Sequence, residues 1–536
     1  MTMSRTIRYW AGFGLLGAVG LGLTGCSDGI LDENPPNIIV ADNLYTNVDG
    51  FRSGLNALYA QAREERAGVS GVNVIRTEMM NVGVDNAYAN YPAGFEHVWN
   101  EWGVYNGPQV SEFLDTWTWL YQTVNAANTI INRADNPDVA WTEAQKNETL
   151  AEARFFRAWC YRHLTYLWGP VPLNLEESSG ESVRTDWART PVADVRAQME
   201  QDLLFAEQYL PDVPPTPGRL SKAVAQHYLA ELYLAQNDPA KAEVEAKKVT
   251  ESGKFHLITE RYGMRANQPG SPFMDQFVDG NVARDQGNTE ALWVFRYQLN
   301  TPGGGYSIMR RYWVNRYYLI TGIPVTGENG GRAIGRFANT AWSINLYEPN
   351  DDRGSYLAIR KFYIYSDPSI LPKGKTLGDT VRLSWKKEKE SDRNWPSTRK
   401  WDWANPLDVN AGEQYEDQPY LRLAETYLLL AEAQMKLGKL PDAAESINKL
   451  RRRAGASEIS PAQVTLDFIL DERSRELLTE EERRYTLVRT HTWLDRVRKY
   501  NPLAAPNAEA RDTLFAIPQA VIDSNLGAEM EQNPGF

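Results

Sequence analysis

The sequence predicts a mainly α fold, a tetratricopeptide-like scaffold of helix pairs interrupted by a long, loop-rich, aromatic insertion. Helical periodicity with a shared internal spelling occurs twice, in residues 221–252 and 420–454. Between them, residues 254–415 hold no sustained helical period and are rich in Gly, Pro, Asn and aromatic residues. In a chain with 27 Tyr and 17 Trp, the aromatic content of that gap is too high for disorder, so it reads as an ordered, functional insertion.

The elements follow from the N-terminus. Arg5 and Arg8 precede an uncharged apolar run, Trp10–Leu23. A membrane-spanning helix needs about 20 apolar residues, so this shorter run has the size of a signal-peptide core instead. Leu23-Thr24-Gly25-Cys26 follows, and its spelling resembles the lipobox, where cleavage leaves a lipid-bearing cysteine. Residues 1–25 are therefore expected to be a lipoprotein signal peptide. Cys26 is expected to carry the acyl chains, which anchor far more firmly in numbers than one alone. Residues 26–40, with Asp28, Asp32, Glu33 and Pro35-Pro36, read as a polar, proline-broken tether, and residues 41–536 as a single body. Within that body, helical repeats are expected over about 41–253 and 416–500, the insertion over 254–415, and a C-terminal segment over 501–536.

Helices are predicted over 112–133, 143–168, 191–210, 464–480 and 483–499. In 143–168, Thr142 and Gln145 have capping-box spacing. Ala153, Phe156, Cys160, Leu164 and Leu167 then share one face, and Gly169-Pro170 stops the helix. The two repeated units each break in the middle, at Asn237-Asp238-Pro239 and at Leu437-Gly438-Lys439-Leu440-Pro441. Each carries Leu-Ala-Glu in its first helix (Leu229–Glu231, Leu430–Glu432), followed at the same spacing by an alanine, Ala242 and Ala443. Small residues there let two antiparallel helices approach closely. The second unit resembles a tetratricopeptide repeat in length and layout. Within the insertion, short strand-like runs include Ala291–Tyr297 and Tyr356–Tyr363.

The formal charge of −12 becomes −14 once Arg5 and Arg8 leave with the signal peptide. Such an acidic chain has no basic footprint for nucleic acid. Of two cysteines, Cys26 is expected to be lipidated and Cys160 to be a small buried hydrophobe, so no disulfide is expected. There is no Gly-x-Ser-x-Gly, phosphate loop or His-Glu-x-x-His. The five histidines, His97, His163, His227, His256 and His491, are scattered. Asp279, Asn281 and Glu290 mimic part of a calcium loop, but Ala283 and Arg284 stand where a ligand and a Gly are needed. No cofactor and no metal are expected.

Four ordered segments resemble the RagB/SusD family of outer-membrane lipoproteins. They are Ala151–Ala158 continuing to Leu167-Trp168-Gly169-Pro170-Val171-Pro172-Leu173; Gly218-Arg219-Leu220 through Phe255-His256-Leu257; Tyr420–Ala433 with Glu472–Leu477 and Val488-Arg489; and Leu514–Pro518, Asn525 and Gln532-Asn533-Pro534-Gly535-Phe536. One departure is Thr479–Tyr485, which lacks the Gly and His usual at that place and bears on packing. The family's ligand contacts are poorly shared, so none is carried over. Physically the motif charges (Glu152, Arg154, Arg157, Arg473, Arg475, Glu476) read as scaffold pairs that hold helices in register.

The resemblance implies a non-enzymatic surface lipoprotein that binds nutrient oligomers, oligosaccharide or peptide, and hands them to a SusC-like TonB-dependent transporter in the outer membrane. Loops in two parts of the chain are then the expected ligand face. Both mix flat aromatic surfaces with amides or guanidinium groups, which bind hydroxyls and carboxylates. The first, residues 85–105, supplies Tyr88, Tyr91, Trp99, Asn100 and Trp102, with Asp85, Asn86, His97 and Tyr105 among them. The second, residues 301–318, follows the Pro302-Gly303-Gly304-Gly305 turn with Tyr306, Arg310, Tyr312, Trp313 and Tyr317, with Arg311, Asn315, Arg316 and Tyr318 among them. Trp401 and Trp403, flanking Asp402, form a third, weaker group. The competing expectation is a surface-anchored glycoside hydrolase using two carboxylates of the insertion. With 69 acidic residues some close pair is inevitable, and no feature selects one. A pure repeat adaptor would not need the aromatic insertion.

Overall fold

The computed structural model describes residues 40–69, 74–91, 94–389, 391 and 393–536. Cys26, the expected signal peptide and the expected tether up to residue 39 lie outside the described residues. The chain divides into two compact units, Met1–Leu44 and Tyr45–Phe536. The described part of the first is the one-turn helix Ala41–Leu44; the remaining helices and all described strands belong to the second.

The fold is mainly α. Its principal helices are α1 (Val48–Arg63), α2 (Ser111–Arg133), α3 (Glu143–Trp168), α4 (Val192–Tyr209), α5 (Lys222–Ala235), α6 (Pro239–Thr250), α7 (Leu423–Lys436), α8 (Leu440–Arg453), α9 (Leu466–Glu476), α10 (Arg483–Arg489) and α11 (Trp493–Tyr500). From α2 to α8 each helix packs on the next, and α7 packs on α6 although the whole insertion separates them in sequence. The chain thus leaves the helix stack after α6 and rejoins it on the same helix. Strands β2 (Ala291–Phe295) and β8 (Gln418–Arg422) pair antiparallel close to that return. The Leu423 amide then donates to the Glu290 carbonyl at 2.9 Å, which is why residues 420–422 are strand and helix begins only at Leu423.

Local chemistry behaves as the sequence predicts. Thr142 and Gln145 form the capping box of α3, and Cys160 is buried. Ala242 and Ala443 are buried at the helix contacts of the two repeats. The Glu of each Leu-Ala-Glu unit receives a guanidinium from another helix: Glu231 from Arg162 (2.9 and 3.0 Å), Glu432 from Arg489 (2.6 and 2.8 Å). Arg157 likewise chelates Asp202 at 2.8 and 2.7 Å. Arg154 lies instead over the Phe205 ring at 4.2 Å.

Two helix boundaries differ from expectation. The predicted helix 464–480 stops at Glu476, because Thr479 adopts a left-handed φ of 65°. That turn sends the Glu480 carboxylate to Arg422 and Lys400 and the Glu481 carboxylate to Arg473 and Arg483. The predicted 483–499 helix breaks at His491, also left-handed (φ 57°). The described strands form two-stranded sheets only. Besides β2 with β8, these are β1 (Ala87–Ala89) with β3 (Phe337–Asn339), β4 (Ile359–Arg360) with β7 (Ser397–Thr398), and β5 (Phe362–Ile364) with β6 (Thr380–Arg382).

The insertion is tied to the helices by buried charge. Glu476 accepts from Arg422 (3.1 Å), Arg453 and Arg353 (3.1 Å), and its carbonyl accepts from the Lys400 amine at 2.9 Å. Arg353 also binds Glu472 at 2.7 Å and Asp351 at 2.8 Å. Burial alone would raise the Glu476 carboxyl, yet Arg453, Arg422, Arg353 and Lys400 together hold it far below the usual carboxylate range. A depressed carboxyl stabilises the fold above its unfolded-state value and loses that contribution as pH falls through the folded value. The melting temperature should therefore drop as pH is lowered below about 4, and Glu476→Gln should cost about 3–5 kcal/mol at neutral pH while flattening that acid limb. Thermal unfolding of both proteins across pH checks this; equal acid limbs would refute it.

Candidate ligand-binding site

The two aromatic segments converge on one strand. Ala89 pairs with Phe337 across β1 and β3, and Tyr312 and Trp313 pack on the Phe337 ring at 4.8 and 5.5 Å. The convergence is mostly interior. Tyr88, Trp99, Asn100, Trp102, Arg310, Tyr312, Trp313 and Tyr317 are all buried, which corrects their expected place on a ligand face.

Each has a structural task instead. Trp99 and Trp102 pack at 5.4 Å; Trp102 also meets Trp493 at 5.2 Å and Phe515 at 5.8 Å. Gly83, at φ +69°, lets the backbone pass that indole, since a Cβ there would lie 2.5 Å from Trp102. The Asn100 amide takes the place of a strand partner, accepting from the Ala89 amide at 3.2 Å and donating to its carbonyl at 2.8 Å. Arg310 gathers three backbone carbonyls, of Trp403 (2.7 Å), Ala411 (2.5 Å) and Gly330 (3.3 Å). The Tyr317 hydroxyl donates to the Gly331 carbonyl at 2.7 Å, and the Tyr88 hydroxyl accepts from the Lys389 amide at 3.2 Å. The calcium-like spacing is used for packing too: Glu290 binds Arg422 and Arg453, and Asn281 binds the Met264 amide and the Asp275 carbonyl.

What reaches solvent is the rim of this core. Tyr91 is 48% exposed, and the Arg316 guanidinium lies 4.6 Å from its ring centroid. This contact joins the two segments at the surface. Two positions further along the chain, Tyr318 carries Arg332 over its ring at 5.1 Å. The loops are fixed beneath them, because the Asn90 and Tyr91 amides both donate to the Arg336 carbonyl and the Ile334 amide donates to the Arg311 carbonyl. Arg311, half-buried, is held below its ordinary pKa by burial, partly offset by Tyr312, and lowered further by Arg332 and Arg336. The rim is thus a row of rings and guanidinium groups, suited to flat faces with hydroxyl or carbonyl edges. Tyr306 stands apart in a cleft of about 370 Å³ with Arg63, Glu64 and Arg76, its hydroxyl donating to the Gly68 carbonyl at 3.3 Å. Trp401 is buried and donates to Thr479 at 2.9 Å, whereas Trp403 is half-exposed.

Residues 273–536 match the family model described as SusD family, and residues 31–234 match the one described as starch-binding associating with outer membrane. The chain belongs to the SusD family. A SusD-like protein of Formosa agariphila is 26% identical over 96% of this chain and 98% of its own. The starch-binding protein SusD of Bacteroides thetaiotaomicron is 25% identical over 78% of each chain. Among solved structures, a laminarin-binding SusD-like protein superposes with a TM-score of 0.68 at 20% identity, covering 91% of this chain and 99% of that one. Surface glycan-binding protein A of B. thetaiotaomicron, in complex with laminarihexaose, gives 0.70 at 18%, over 91% and 99%. At these identities the structural likeness shows the fold, a SusD-like helical architecture.

In this SusD-family protein Arg316 and Tyr318 belong to the second segment that the sequence marks, and the residue that sequence reasoning passed over is Arg332. Nothing in the local spelling of Arg316 and Tyr318 separates them from Tyr312, Trp313 and Tyr317; only the turn at 314–319 decides which rings point inward. Trp102→Ala and Trp313→Ala should each lower unfolding free energy by about 3–5 kcal/mol in denaturant titrations. A variant with unchanged stability would return that ring to the surface.

Proposed function

We propose that this SusD-family chain is an outer-membrane lipoprotein, anchored through Cys26, that captures oligosaccharides and passes them to a SusC-like TonB-dependent transporter. The observation that carries the reading is the Tyr91–Arg316 contact, where the two aromatic segments surface together and Tyr318–Arg332 extends the row. A sugar ring offers an apolar face to such a ring and hydroxyl edges to guanidinium donors. The relatives support the sugar class: one is named for starch, one for laminarin, and one holds laminarihexaose. The family description supports the outer membrane. Tyr306, in its separate cleft, offers a further ring for contact.

Tyr91→Ala should weaken binding of neutral glucan oligosaccharides at least about tenfold, equivalent to about 1.4 kcal/mol, with an unchanged melting temperature. Isothermal titration against laminarin and starch oligosaccharides measures it, with peptides of similar length as the contrasting ligand. Tight peptide binding lost on the same substitution, with no glycan binding, would overturn the sugar assignment. Cys26→Ala should release the protein from membranes, and protease shaving of intact cells should degrade the native form. A transporter that does not co-purify with the native protein would remove the delivery step.

A further inference from the structure

A second cleft, of about 660 Å³, opens on another part of the insertion and is lined by Arg261, Arg265, Asp279, Glu328, Arg399 and Trp403 among others. Its volume falls within the roughly 300–1,000 Å³ of small-molecule sites. The Trp403 indole is half-exposed but held from several sides. Its Nε1 donates to Asp279 at 3.2 Å, the Tyr415 ring meets it edge-on at 6.3 Å, and its carbonyl is gripped by buried Arg310 at 2.7 Å. A large flat ring is thus fixed in place before any ligand arrives.

The surrounding charges narrow the occupant. Arg261 is committed to Asp275 at 2.6 Å, and Arg399 to Asp402 at 2.8 Å, with Arg360 on the same carboxylate. Those pairs leave Asp279, Glu328 and Arg265 as the exposed charged groups of the lining. Two carboxylates disfavour an anionic ligand, and the polar walls disfavour a purely apolar one. No group of His, Cys, Asp and Glu able to hold a metal ion exists among the described residues. A neutral hexopyranose satisfies every constraint: its C–H face covers the indole, its hydroxyls donate to Asp279 and Glu328, and they accept from Arg265.

We infer that the Trp403 cleft is a second sugar site, taking a neutral hexopyranose unit independently of the Tyr91 rim. The inference rests on the glycan-capture reading and adds a separate place where the chain grips its ligand. The test is calorimetric titration with laminarihexaose and maltohexaose. In Tyr91→Ala protein a residual binding event should persist, and adding Trp403→Ala should weaken it at least about tenfold without moving the melting temperature. Asp279→Ala, which frees the indole and removes one hydroxyl acceptor, should weaken it in the same direction and guards against a misfolded Trp403 variant. Hexamers of glucuronate should bind the residual site less tightly than the neutral ones, and the reverse order would overturn the assignment. If Tyr91→Ala removes all binding and Trp403→Ala alone changes nothing, the second site is refuted while glycan capture stands. If the unsubstituted protein binds no neutral oligosaccharide, both readings fall together.

Discussion

Burying the Glu476 carboxylate is the constraint on which the rest of the structure depends. Moving an ion out of water costs several kcal/mol even after relaxation, and partners offset this only when their geometry is good. Here the partners arrive from distant parts of the chain. Arg353 and Lys400 come from the insertion, Arg422 from the strand at its return, and Arg453 from α8. Glu290, Glu472 and Glu480 balance them, so the cluster holds cations and carboxylates together rather than an isolated charge. Removing one arm would leave the others buried without compensation. The irregular insertion is therefore held to the helices by charge as well as by hydrophobic contact.

The same hub explains the Thr479–Tyr485 segment. A left-handed threonine is unfavourable for a β-branched residue, but it turns consecutive side chains in different directions. Glu480 faces Arg422, Glu481 faces Arg473, Glu482 faces Arg162 and Tyr420, and Arg483 faces Asp85. Arg484 lies against the rings of Trp102, Trp493 and Phe515 at 4.8, 4.9 and 4.3 Å. Burial there pushes its pKa down to about 9, which suits a guanidinium held by rings and carbonyls. The segment therefore serves packing, which is the place the sequence assigns it.

Helices were legible because their signals are local. Capping at Thr142, small residues at Ala242 and Ala443, and Pro239 and Pro441 early in their helices all act within a few residues, and each matches the structure. The first shortened helix was not legible, since it stops for carboxylates that are satisfied by distant residues, whereas the second closes locally, the Thr492 amide donating to the Leu487 carbonyl at 2.9 Å. The binding face was the least legible part. Composition marks 85–105 and 301–318 as unusual, but a tryptophan reads the same whether it stacks on Phe515 or on a ligand. Burial of Trp99, Trp102 and Trp313 is decided by β3, far along the chain from the first segment, and by the C-terminal Phe515. Exposure of Tyr91 and Trp403 is decided by the same long-range closure.

The side-chain amide of Asn100 has a wider consequence. Where sheets have only two strands, every strand is an edge, with backbone groups free to recruit a strand from another molecule. Asn100 occupies both polar groups of Ala89, and Asn501 donates to the carbonyls of Val84 and Ala87 at 2.7 and 3.1 Å. The margin of β1 opposite β3 is thus closed by two asparagines and by the Gly83 and Val84 amides, which also donate to the Ala87 carbonyl, rather than by a third strand. Such a cap satisfies buried backbone groups without adding chain, so β1 can lie wholly in the interior as one half of a two-stranded sheet.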